Sequence, residues 1–247
     1  MTAQFLVTLL SVIVVIPLYY SVVDSRITAL SKPLLLGTWA PRAYSYREGR
    51  SVWRLGLASS AQLIFWGCLI VLTGVTVSDG FHAPFRPIHL VYGVLLGIGE
   101  MGLSSFLCHI VVQAIMALAP SWGPGSMQEW ITIARGGWMR EYLNTLDTAP
   151  LFLAMALTVL YVGVEELVFR AVLVTFAQPL GLVGAVVFST VLFALVQTFQ
   201  LPSLRAAIFP VIGACVMGVA HGVLFCFEPN VVPLVIAHCV FFFVAVR

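Results

Sequence analysis

Glu165, Glu166 and Arg170 stand within six residues of one another in the string Val-Glu-Glu-Leu-Val-Phe-Arg, inside an otherwise apolar run. An ionisable side chain at the centre of a bilayer costs about 2.5–3.5 kcal/mol on insertion scales, so three together require a reason. Glu166 and Arg170 are four residues apart, which places them on one helix face and lets them pair. Glu165 is rotated from Glu166 by about 100° and can aim at another helix or at a water. The spacing therefore separates two roles, one carboxylate held by the arginine and the other free to act. A buried ion pair that only fixes helix packing would leave one negative charge over. His238, in the last apolar run, is a reasonable partner for the carboxylate pair, and His221, one run earlier, is a weaker one. Glu100 and His109 are nine residues apart, so they face opposite sides of a regular helix and are not expected to form one site. His82 and His89 lie near a loop and carry no evident role.

These groups must be positioned by helices in a membrane. Of the 247 residues, 61% are hydrophobic and only 9% are charged, against about a quarter charged in soluble domains. Seven apolar segments span roughly 4–23, 55–77, 88–118, 149–177, 182–199, 206–226 and 231–246, several of them near the ~20 residues that cross a bilayer. The expected fold class is all-α, a polytopic transmembrane bundle of about seven spans. The first run has no basic segment before it and is longer than a signal-peptide core, so it is read as a retained span. Gly97, Gly99 and Gly102 surround Glu100 and suggest a kink or a close helix contact, and Gly218 with Gly222 suggests close packing.

Six of the twelve Lys and Arg residues lie between positions 24 and 54: Arg26, Lys32, Arg42, Arg47, Arg50 and Arg54. Arg135, Arg140, Arg205 and Arg247 fall on the same side if the spans alternate. Only Arg86 falls on the other. The positive-inside rule then puts the N-terminus outside and the C-terminus in the cytoplasm. Trp122, Trp130, Trp138 and Tyr142, among polar residues of the 121–148 segment, suit a stretch lying in the membrane interface.

A net charge of +2 without a basic patch argues against a nucleic-acid partner. The lipid bilayer is the expected surrounding, and another membrane protein or a membrane-bound peptide the expected partner. No His-Glu-x-x-His string, zinc-spaced Cys/His cluster, phosphate loop or Gly-x-Ser-x-Gly elbow occurs, so neither a metal nor a cofactor is expected. The five cysteines, Cys68, Cys108, Cys215, Cys226 and Cys239, read as small apolar residues of helices.

The charged string resembles the first motif, Glu-Glu-x-x-x-Arg, of the CAAX-protease and bacteriocin-processing (CPBP, or Abi) family of intramembrane endopeptidases. Phe169 also stands where that family has it. The second motif, Phe-x-x-x-His, is matched by Phe193 but carries Gln197 in place of the histidine. The third, His-x-x-x-Asn, is matched by His238 within a frame of Gly218, Gly222, the Glu228-Pro229-Asn230 turn and Pro233. Phe242 replaces its asparagine. The resemblance covers the last four spans and implies two parts, an N-terminal three-span region over 1–145 and a CPBP-like core over 146–247. It also implies residue roles: Glu165 as the base for a water, Glu166 and Arg170 as its supporting pair, and His238 as half of an oxyanion site. Gln197 can hydrogen-bond a water but cannot accept its proton at ordinary pH. Phe242 offers no donor, and losing one oxyanion donor costs about 2.7–4 kcal/mol.

The reading is accordingly a partly degenerate intramembrane protease site in a prokaryotic plasma-membrane protein. It is non-proteolytic and serves as a scaffold or accessory subunit for another membrane protein. The alternative is an active endopeptidase of prenylated or leader-bearing peptides; a third reading is a lipid- or small-molecule-handling protein.

Overall fold

The computed structural model describes residues 2–37, 46–134, 144–147, 149–199, 201 and 203–246. Arg42, Arg135, Trp138, Arg140, Tyr142 and Arg247 lie outside the described residues. In chain order the principal helices are α1 (Ala3–Gly37), α2 (Tyr46–Thr73), α3 (Ile88–Leu118), α4 (Met127–Ala134), α5 (Leu151–Glu166), α6 (Gly181–Phe199), α7 (Leu204–Phe227) and α8 (Val232–Val246). α5 runs on as a π-helix over Leu167–Val174. Six of these segments are long and apolar enough to cross a membrane, and α8 is a shorter apolar helix. At 15 residues it measures about 22 Å. The protein is thus a polytopic helical membrane bundle.

Two boundaries depart from the sequence reading. α1 continues to Gly37 and α2 begins at Tyr46, so most of the expected 24–54 loop is helix. The reason is visible in α1: Tyr20, Ile27 and Ser31 are all buried, and their spacing carries the inward-facing stripe two turns beyond the apolar run.

Close backbone approach sets the packing. α3 lies along α8, and a Cβ on Gly93 would come 2.7 Å from the Pro233 carbonyl oxygen. One on Gly97 would collide with the carbonyl oxygen of Ala237. Gly99 and Gly102 have open space around them, and α3 is continuous through Glu100, so the glycines serve contact and not a kink. α7 meets α6 in the same way: a Cβ on Gly218 would lie 2.6 Å from Thr190 Cγ2 and one on Gly222 would lie 3.1 Å from Val186 Cγ1. Small residues let helices approach this closely where no hydrophobic effect drives them together.

At one end of the bundle the α2–α3 connection is pinned to the α7–α8 turn. The Val231 amide donates to the Gly80 carbonyl and the Ala83 amide to the Pro229 carbonyl, both at 3.1 Å. The buried Asn230 donates from Nδ2 to the Ala83 carbonyl (3.0 Å), while its Oδ1 accepts from the Val232 amide (2.9 Å) at the start of α8. His89, given no role by the sequence, is buried and belongs to this junction. Its Nδ1 accepts from the Arg86 amide (3.2 Å), which leaves Nε2–H to donate to Glu228 at 2.9 Å.

Candidate functional site

The α5 helix brings three charged groups to the centre of the bundle. Glu165 is 4% exposed, and Glu166 and Arg170 are fully enclosed. Arg170 lies in the π-helical stretch, a distortion that often accompanies functional sites in helices. There the Ser189 hydroxyl of α6 donates to the Phe169 carbonyl at 2.5 Å.

Glu166 is the hub. Its Oε2 lies 3.3 Å from Arg170 Nε, the pairing expected from the four-residue spacing. The Arg170 guanidinium also sits over the Phe193 ring, 4.5 Å from its centroid, which adds a cation–π attraction in desolvated surroundings. Glu166 Oε1 is 2.7 Å from His238 Nδ1, and Oε2 is 2.9 Å from His221 Nδ1. One carboxylate therefore faces an arginine and two histidines on three elements.

His221 reaches further. Its Nε2 lies 3.2 Å from Glu100 Oε2 and 3.1 Å from Oε1. Glu100, from the middle of α3, is thus part of the cluster, which the comparison with His109 did not foresee. The nine-residue argument correctly separated Glu100 from His109; the true partner lies on α7. Both nitrogens of His221 face carboxyl oxygens, and a neutral imidazole has only one N–H. Two hydrogen bonds here require the Glu166–His221–Glu100 group to hold one proton more than a neutral ring with two carboxylates.

Glu165 turns the other way. Its Oε2 lies 3.9 Å from His238 Nε2, too far for a direct hydrogen bond and suited to a bridging water. With Nδ1–H donating to Glu166, Nε2 of His238 is free to accept. The gap opens on a cavity of about 20 Å³ lined by Tyr161, Glu165, Phe193, Gln197, Phe209, Pro210, Met217, His238, Phe241 and Phe242. About 10–15 Å³ suffices for one water. The cavity holds that and no peptide. Gln197 and His238 share it with Glu165, so the positions singled out from the sequence converge. Phe242 has its ring centroid 6.3 Å from that of His238 and helps to close the cavity. His109 does not join the cluster and lines a different cavity.

The arrangement is a chain of five ionisable side chains, Glu100–His221–Glu166–His238–Glu165, supported by Arg170. Four helices contribute to it. Chemically it can hold one water between a carboxylate and an imidazole, and it can move protons along alternating acids and bases. Fold and cluster together define an intramembrane protein with a buried acid–histidine site. Residues 147–244 match the family model described as type II CAAX prenyl endopeptidase Rce1-like, so over this segment the chain is similar to that family. Glu100 comes from outside the matched segment. No curated protein and no solved structure matches the chain.

Proposed function

We propose that the protein is a non-proteolytic member of this family that acts as a scaffold or accessory subunit for another membrane protein. The observation that carries the reading is the shape of the cavity beside Glu165. It offers about 20 Å³ behind Phe193, Phe209, Phe241 and Phe242, where peptide hydrolysis needs room for a carbonyl and its flanking backbone. Gln197 cannot relay a proton as histidine does, and Phe242 supplies no donor to a developing oxyanion. The remaining polar cluster is then a device that fixes four helices in register. In this reading the core over 146–247 is completed by the N-terminal spans over 1–145. The chain sits in a prokaryotic plasma membrane with its N-terminus outside and its C-terminus in the cytoplasm, as the distribution of basic residues favours.

One observation favours the alternative, an endopeptidase of prenylated or leader-bearing peptides. Glu165 and His238 Nε2 face each other across 3.9 Å with space for a single water, the geometry from which a general base could act. Affinity purification in mild detergent, with mass spectrometry of what accompanies the protein, separates the two. A stoichiometric, uncleaved partner whose abundance survives Glu165→Gln supports the scaffold. A partner or peptide cleaved with the wild type and intact with Glu165→Gln overturns it in favour of the protease.

A further inference from the structure

A second and much larger cavity, of about 320 Å³, lies between α3, α4, α7 and α8. Most of its wall is apolar, with Met101, Val112, Ile208 and Phe209 among the lining residues. Each of its polar side chains, Ser105, Cys108, His109, Trp130 and Arg205, can donate a hydrogen bond, and Trp130 and Arg205 can only donate. Arg205 lines it, exposed, with its guanidinium 5.6 Å over the Trp122 ring. Among the described residues no carboxylate pairs with Arg205, and no acidic residue lines the cavity. Trp130 is 4% exposed and lines the same space, and its indole N–H has no acceptor. A buried donor left unmade costs about 1–3 kcal/mol, so it marks a place where an acceptor belongs. Trp130 is held there by packing: it stacks on Trp122 at 6.0 Å, and a Cβ on Gly123 would collide with its ring.

The two donors stand where α3 and α8 end and α7 begins, and the stacked pair Trp122 and Trp130 beside them has the composition of a membrane interface. The apolar wall continues from there along the spans. We propose that this cavity binds an anionic phospholipid, with its phosphate at Arg205 and the Trp130 N–H and one acyl chain in the apolar part. A soluble anion would leave the Met101, Val112 and Ile208 wall unused, and a zwitterionic lipid would bring its own cation beside Arg205. Phe209 lines both this cavity and the smaller one beside Glu165, so it is the partition between them. The assignment does not depend on whether that smaller site is catalytic.

Native mass spectrometry of delipidated protein, titrated with phosphatidylglycerol or phosphatidylcholine of equal chain length, tests this. The expected result is one high-affinity site preferring phosphatidylglycerol by about tenfold, the scale of one charge-assisted hydrogen bond. Arg205→Ala abolishes the preference, Trp130→Phe weakens it with the ring kept in place, and Ser105→Trp, which adds an indole at the cavity wall, reduces binding of both lipids. Equal affinity for the two lipids overturns the proposal, as does an undiminished preference in both Arg205→Ala and Trp130→Phe. Displacement of the lipid by inorganic phosphate alone also overturns it, in favour of a soluble-anion site.

Discussion

At the scale of single residues, Arg170 carries the largest electrostatic responsibility. It is fully enclosed beside Glu166, and removing it leaves a buried carboxylate without its cation. Arg170→Ala should lower stability by about 3–5 kcal/mol, read as loss of accumulation in membranes and a lower unfolding temperature in detergent. Normal accumulation would refute the pairing as a stabilising contact. The two replaced positions give a complementary experiment. Gln197→His with Phe242→Asn restores a proton acceptor and an oxyanion donor and removes an aromatic wall of the cavity. It should raise cleavage of a prenylated reporter peptide by roughly 100-fold, the scale of one oxyanion contact, and Glu165→Gln should abolish that gain. No gain would show that more than these two side chains bars the reaction. The motif itself was legible in the sequence because charge is rare and costly in an apolar run. The Glu100–His221 contact was not, since it joins residues 121 positions apart. A usable signal existed: each was an ionisable group in a span without a partner on its own helix, and such groups seek one another.

Elements respond to substitution in ways that the glycines make specific. Gly97→Val should separate α3 from α8, because its side chain would enter the space of the Ala237 carbonyl and Val240. Gly99→Val, two residues away, meets open space and should be nearly neutral. Thermal unfolding of the two variants in one detergent checks this, and equal effects would count against the close contact. At the α2–α3 connection, outside the spans, the Asp79 carboxylate accepts from the Thr76 amide at 2.6 Å and the Thr76 hydroxyl at 2.8 Å. These bonds hold its pKa below the usual value. A depressed carboxylate stabilises the turn above its unfolded pKa, about 4, and loses that contribution as pH falls through the folded value. Amide exchange at Thr76, corrected for its intrinsic pH dependence, should therefore lose protection in acid and not in base. Span number and order were readable from hydropathy. The extension of α1 and the π-helical stretch after Glu166 were not, because both depend on what neighbouring helices offer.

For the molecule as a whole, the family match ends where the cluster does not. Residues 147–244 match, yet Glu100, Gly93 and Gly97 of α3 complete the packing and the polar chain. Residues 146–247 expressed alone should fail to accumulate, and co-expression of residues 1–145 should restore them as a complex recoverable by a tag on either part. A stable isolated core would show that the N-terminal spans are an addition and not a component. The junction of the α2–α3 connection with the α7–α8 turn has a mechanical corollary. α3 and α8 are stapled together where they begin, by the Gly80–Val231 and Ala83–Pro229 hydrogen bonds, the Asn230 bridge and the His89–Glu228 contact. Any swing of α8 must therefore pivot there, and over its length of about 22 Å a 10° rotation moves the far end by about 4 Å. A rotation of that kind would open the end holding Arg205 and Trp130, like the jaws of a clothes-peg, and leave the end holding Asn230 shut.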